Sequence, residues 1–159
     1  MKIFVISDTH FNHENIIRYA GRPFKNIKEM NEMIIKKWNE KVGKEDLVIH
    51  LGDFALGDNS EITQIRNRLN GKIILIRGNH DHKAVRNAGF MLIKGTLEMD
   101  NWIFSHNPLD DGDIPMGFIN VHGHIHEKKS LRGINVSVEN INYDPIEIKD
   151  LTNLLSKIK

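Results

Sequence analysis

Residues 72–81 read KIILIRGNHD: an apolar run, Ile73 to Ile76, closed by Arg77 and followed at once by Gly78-Asn79-His80-Asp81. A short, nearly continuous run of Ile and Leu bounded by Gly and Asn reads as a strand buried on both faces. The same grammar recurs along the chain. Lys2–Ile6 leads into Ser7-Asp8-Thr9-His10, Leu47–Leu51 into Gly52-Asp53, Trp102–Ser105 into His106, and Phe118–Val121 into His122-Gly123-His124-Ile125-His126. Five predicted strands therefore end in side chains able to bind a metal ion or move a proton. In open α/β sheets ligands bind outside the carboxyl ends of strands, so motifs far apart in sequence converge there.

Between these strands the apolar period changes. In Ile27–Val42 the positions Ile27, Met30, Met33 or Ile34, Trp38 and Val42 recur at helical spacing, and Gly43 follows as a stop. A second helix is predicted over Ser60–Leu69, capped by Asn59 or Ser60, and a short amphipathic one over Leu151–Ile158. Phe90–Ile93 and Thr96–Met99 flank Lys94-Gly95 and predict a hairpin, and Ile134–Val138 and Ile146–Ile148 predict further strands. Strands alternating with helices give an α/β layered fold, and the denser strands of the second half suggest two sheets packed face to face.

Composition narrows the function classes. The 159 residues, 40% hydrophobic and 27% charged, are expected to form one domain with a sizeable core. With no cysteine there is no disulfide, thiolate zinc site or cysteine nucleophile, which agrees with a cytoplasmic location. No segment reads as a leader or a membrane span. A net charge of +1 gives no positive support for nucleic acid as a partner. The unusual component is histidine, with nine residues, several beside Asp, Asn or Gly. Residues i and i+2 of an extended segment face one side, so Asp8 and His10 can aim at one point, and so can His124 and His126. Gly52, Gly78 and Gly123 suit sharp turns and close approach of backbone to an ion. Mixed imidazole, carboxylate and amide ligands suit Mn, Fe, Zn, Co or Ni better than Mg or Ca alone.

The five blocks, Asp8-Thr9-His10, Gly52-Asp53, Gly78-Asn79-His80-Asp81, His106 and Gly123-His124-Ile125-His126, resemble in type and order those of the calcineurin-like metallophosphoesterase family. Any one block is weak; five in order are specific. The resemblance implies a four-layer sandwich, two packed mixed β-sheets flanked by helices, in a single domain over residues 1–159 without a cap or accessory domain. It implies Asp8, His10 and His126 as ligands of one metal ion and Asn79, His106 and His124 as ligands of a second, with Asp53 bridging. It implies His80 as the catalytic histidine, oriented by Asp81. The expected cofactors are two divalent transition-metal ions, manganese first, with Fe, Ni, Co or Zn as alternatives. The expected activity is phosphoester hydrolysis, by a phosphodiesterase or phosphatase, with a metal-activated water as nucleophile and a phosphoester substrate as partner. A nuclease and a non-catalytic metal-binding scaffold are the competing readings; the intact Asp53, Asn79 and His80 argue against the scaffold. A nucleotide-binding Rossmann turn is excluded, because no G-x-G-x-x-G follows a strand.

Other residues carry weaker signals. His13, on the loop leaving Asp8–His10, is a candidate substrate contact or a helix-start packing residue. Arg18 and Arg22 are candidates to reach a substrate phosphate, with a solvated arginine as the plainer reading. His50 reads as a hydrogen-bonded core residue, His82 as exposed loop, and His122 as support for a ligand. The segment 107–117, NPLDDGDIPMG, is expected to border the site as an exposed loop.

Overall fold

The computed structural model describes residues 1–155. Five strands form the first sheet: β1 (Ile3–Ile6), β2 (Leu47–His50), β3 (Lys72–Ile76), β4 (Met91–Ile93) and β9 (Ile146–Glu147), in the order β4-β3-β2-β1-β9. All its pairs are parallel except β1 with β9. The second sheet, β5-β6-β7-β8, is built from β5 (Leu97–Met99), β6 (Trp102–Phe104), β7 (Ile119–His122) and β8 (Ile134–Asn135). Here β5 runs antiparallel to β6, and the other pairs are parallel. Two mixed sheets flanked by helices are thus the architecture.

Register decides where the motifs emerge. Ile6 pairs with His50 and His50 with Leu75, so the segments after β1, β2 and β3 leave the sheet side by side. In the second sheet Phe104 pairs with Val121, which brings His106 beside Gly123-His124. The two edges are tied together, because Ser7 N–H donates to Val136 O and Ser7 bridges to Ser137.

The helices bury the stripes their periodicity predicts. Helix α1 is Glu14–Tyr19, α2 is Ile27–Lys41, α3 is Asn59–Arg68, α4 is Lys83–Arg86 and α5 is Leu151–Leu155. Helix α2 starts where Asn26 Oδ1 accepts the Glu29 N–H, and it buries Met30, Ile34, Ile35 and Trp38. Trp38 is fully buried and its indole donates to Asn70 O, so Trp38→Ala would cost about 3–5 kcal/mol. Of the two candidates at 33 and 34, Ile34 faces the core and Met33 is exposed.

Three expectations are corrected. Met91–Ile93 and Leu97–Met99 do not form a hairpin: β4 pairs with β3 and β5 with β6, so Lys94-Gly95 carries the chain from one sheet to the other. Helix α3 is capped by Asp58, which shares a capping box with Glu61, rather than by Asn59 or Ser60. The run Ile134–Val138 divides into the short β8 and a 3-10 turn at Val138–Asn140. Of the predicted C-terminal helix, residues 151–155 are helical, and its last positions lie outside the described residues. Among the described residues no helix is long and apolar enough to cross a membrane.

Candidate metal centre

The strand ends deliver two groups of ligand atoms. Asp8, His10 and His126 offer atoms within 4.8 Å of one another, and so do Asp53, His106 and His124. Asn79 joins the second group: its Oδ1 lies 2.8 Å from His106 Nε2 and 3.1 Å from His124 Nδ1, and those two ring nitrogens are 3.2 Å apart. Asp53 Oδ2 stands between the groups, 3.5 Å from His10 Nε2 and 3.5 Å from His106 Nε2. The seven residues expected as ligands are therefore brought together. His124 and His126, which could share one point on an extended strand, go to different groups.

The backbone explains how. Asp8, His10, Asp53, His124 and His126 all have positive φ, between 49° and 69°. All five lie beyond the ends of their strands, where the chain leaves the extended conformation. Left-handed φ is uncommon outside glycine, and Asp and His are among the side chains that tolerate it best, yet five such residues in one site mark a backbone that the surrounding contacts must hold. The glycines act by close approach. A Cβ at Gly123 would collide with Ser7 Oγ and Asp8 Oδ2, one at Gly78 with the Asp53 carboxylate, and one at Gly52 with Gly78 N at 2.6 Å.

Each carboxylate has one oxygen anchored and one left for the group. Asp8 Oδ2 accepts from His124 N–H at 2.9 Å and Ser137 Oγ–H at 3.0 Å, while its Oδ1 is buried with no hydrogen-bond partner. Asp53 Oδ1 accepts the His80 N–H at 2.8 Å, leaving Oδ2 to face the two histidines. His10 Nε2 is likewise buried and unpartnered. Buried polar atoms without partners are costly, and acceptor atoms from Asp, His and Asn converging at such distances suit a cation. The donor set thus fits two divalent ions, and it mixes nitrogen with oxygen rather than being all oxygen.

The electrostatics agree. Burial raises the pKa of Asp8 despite the pull of His106 and His126. Burial would also raise Asp53, but His106 and His10 prevail and hold it well below the carboxylate range. Burial drives His10 down to about 2 and so keeps it neutral, the form that binds metal. His106 goes the other way: burial lowers it, but the Asp53 and Asp8 carboxylates carry it up to about 9. The second group therefore attracts positive charge strongly enough to protonate one of its own imidazoles.

Around the groups lies a support layer that sequence reading placed only in part. Arg22 is neither a substrate contact nor solvated. Its side chain is 0% exposed, and it donates to Thr9 O, Asp8 O and Glu139 Oε1, so it braces the ligand-bearing turn from beneath. Arg18 is exposed and stacks on Tyr19. Asp81 does not hold the His80 ring. Its carboxylate accepts the N–H groups of Gly78, Asp53 and Phe54, which pins the β2 and β3 loops to each other. His80 is half-buried, its ring centroid 5.4 Å from that of His10 and 6.1 Å from that of His13. His13 places Nδ1 3.1 Å from His10 Nδ1. His50 is a core residue paired with Thr9 Oγ1, and burial depresses it to about 3. His122 is buried against Gly123 O and Ser130 Oγ and so steadies the ligand loop, and His82 is exposed.

Glu139 was not singled out by sequence. Its Oε1 lies 3.1 Å from His126 Nδ1, completing a carboxylate–imidazole pair behind a ligand. No local spacing announces it, since it lies outside the five blocks.

The comparisons fit this geometry. An uncharacterized protein of Methanocaldococcus jannaschii, MJ1445, is 40% identical over 181 aligned positions, covering 99% of this chain and 93% of that one. The crystal structure of a protein of unknown function from Aquifex aeolicus, AQ665, superposes with a TM-score of 0.75 at 27% identity, covering 96% of this chain and 98% of the other. A Pseudomonas putida nuclease, MPE, shares the fold with a TM-score of 0.52 at 22% identity, over 78% of this chain and 61% of the nuclease. Residues 1–157 match the calcineurin-like phosphoesterase family, and the chain belongs to that family.

Proposed function

We propose that the protein is a phosphoester hydrolase, acting on diesters in preference to monoesters, that works with two divalent transition-metal ions, manganese first among them. The observation that carries this reading is the position of Asp53 Oδ2, 3.5 Å from a nitrogen of each ligand group. A carboxylate in that place is shared between two sites. In this reading Asp8, His10 and His126 hold one ion, and Asn79, His106 and His124 the other. Two ions held there would supply Lewis-acid charge to a phosphoryl group and lower the pKa of a bound water. The remaining work belongs to the chain. His80, half-buried at the edge of the first group, gives a proton to the departing oxygen. Its own N–H fixes the Asp53 carboxylate, so one residue couples the acid to the shared ligand. Asp81 keeps both loops in place, and His13 borders the approach beside His10 and His80. The preference for diesters rests on the open surroundings of the site, where a cleft of about 450 Å³ adjoins Asn79 and His106. The cytoplasm, where a cysteine-free chain is at home, is the proposed compartment.

The test strips the metal and reloads Mn, Fe, Ni, Co, Zn or Mg before a panel of aryl monoester, aryl diester, cyclic nucleotides and single-stranded nucleic acid. Diester turnover that depends on two bound ions is the expected result. Two bound ions with no turnover of any ester would leave a metal-binding scaffold instead. Asp53→Asn is expected to abolish both metal occupancy and turnover; full activity in that variant would remove the shared-ligand assignment.

A further inference from the structure

The cleft beside Asn79 and His106 has a charge that the hydrolytic groups do not use. Arg77 and Lys94 stand on its walls with Thr96 and Asn107. Their placement follows from register. Ile76 pairs with Ile93 at the ends of β3 and β4, and Arg77 N–H donates to Ile93 O at 2.9 Å, so Arg77 and Lys94 are the next neighbours beyond the sheet. Adjacent strands are about 4.8 Å apart, so the two residues leave neighbouring strand ends and line one cleft. Both are exposed, and among the described residues neither has a carboxylate within ion-pair distance. Of the acids in the nearby loop, Asp110 and Asp111 turn to Arg132 at 3.6 and 3.4 Å. Arg77 is two residues from Asn79, at most about 7 Å between their Cα atoms, and both line one cleft with Lys94 and His106, so the pair shares that cleft with the second ligand group.

The geometry points to a second-phosphate subsite: Arg77 and Lys94 bind a phosphate joined through one nucleoside-sized unit to the ester that is cleaved. This rests on the hydrolase reading above and names the class of its substrate. A guanidinium offers two parallel N–H donors to a phosphate, the ammonium adds a point charge, and an open polar cleft accepts the group without enclosing it.

The experiment compares thymidine 5′-(p-nitrophenyl phosphate) with the same ester carrying a 3′-phosphate, on the manganese-loaded protein. Leaving group and cleaved bond are identical, so the ratio of their kcat/KM values isolates the second phosphate. The wild-type ratio is expected to be about tenfold, arising in KM, and to fall towards unity in R77Q/K94Q and in high salt. A short oligothymidylate bearing the same ester identifies the source of the phosphate: a gain confined to it assigns the subsite to a strand, and a gain with both assigns it to any such phosphate. A wild-type ratio near one for every substrate, or a ratio unchanged in R77Q/K94Q, overturns the subsite while leaving the hydrolase reading intact. If neither ester is cleaved with any ion, that reading has failed on its own. Calorimetric binding of thymidine 3′,5′-bisphosphate then decides the subsite: about tenfold weaker binding in R77Q/K94Q sustains it, and equal binding overturns it.

Discussion

Replacing Glu139 with glutamine keeps the volume and one acceptor oxygen of the side chain but removes its charge. That charge has two partners. Oε1 lies 3.1 Å from His126 Nδ1, and it accepts from Arg22, whose Nε is at 2.9 Å and Nη2 at 2.8 Å. Burial alone would raise the pKa of Glu139; the hydrogen bond from His126 and the Arg22 charge outweigh it and hold the carboxyl below its ordinary range. In the variant Arg22, 0% exposed, becomes a buried cation without an anion. Breaking such a pair from one side costs about 3–5 kcal/mol, and at about 2–4 °C per kcal/mol for a chain of this size the melting temperature should fall by about 6–20 °C. Loss of the carboxylate behind His126 should also weaken binding at the first group by about 10–100-fold. Scanning calorimetry of the metal-free protein reads the first effect, and manganese titration reads the second. Because the folded pKa is depressed, the contribution of Glu139 is present above its unfolded value and lost as pH falls through the folded one. The gap between wild type and variant should therefore narrow in acid. A variant that melts with the wild type and binds manganese equally would refute the reasoning.

His80→Ala should cost about 10²–10⁴ in turnover, with larger losses for alkyl than for activated aryl esters; equal losses would reassign His80 to phosphate binding. His106, raised to about 9 in the metal-free protein, carries a proton at neutral pH that an ion must displace. Its contribution to the metal-free fold is fully present below its ordinary 6.5 and is lost as pH rises through about 9. Metal affinity should accordingly climb up to about tenfold per pH unit across that window, with about one proton released, as read by calorimetry in buffers of different ionisation heat. Uptake without proton release contradicts the assignment. Gly123→Ala, whose Cβ would land on Ser7 Oγ and Asp8 Oδ2, should destabilise by about 1–3 kcal/mol and weaken metal binding. A well-folded variant with normal metal affinity would mean that the loop can yield.

The parts of this molecule that were legible in sequence are those encoded locally. An apolar run ending in Gly-Asn-His-Asp states both the strand and the place where its chemistry emerges, and all seven expected ligands meet within the two groups. What sequence concealed depends on pairing across long separations or on backbone angles. Arg22 and Glu139 are 117 residues apart, so nothing in the surroundings of either names the other. Asp81 looks like the partner of its neighbour His80 but serves Gly78, Asp53 and Phe54 through their N–H groups. Lys94-Gly95 has the local chemistry of a hairpin turn, yet β4 is claimed by β3 and β5 by β6. Alternation along an extended strand would aim His124 and His126 at one point; their division between the groups, which the family resemblance alone implied, goes with positive φ at both residues.

Each ligand group draws on both sheets: Asp8 follows β1 and His126 follows β7, while Asp53 follows β2 and His106 follows β6. An ion held by either group is therefore a clasp across the interface between the sheets. Its binding energy opposes their separation, and metal at 100 times its Kd adds about 2.7 kcal/mol against unfolding. The candidate metal centre and the mechanical closure of the molecule would then be one object. Chelation would loosen the half that carries β5 to β8, exposing it to proteases and hydrogen exchange. Because Asp53 serves both groups, removing one ion would weaken the hold on the other, and the clasp would open in one step.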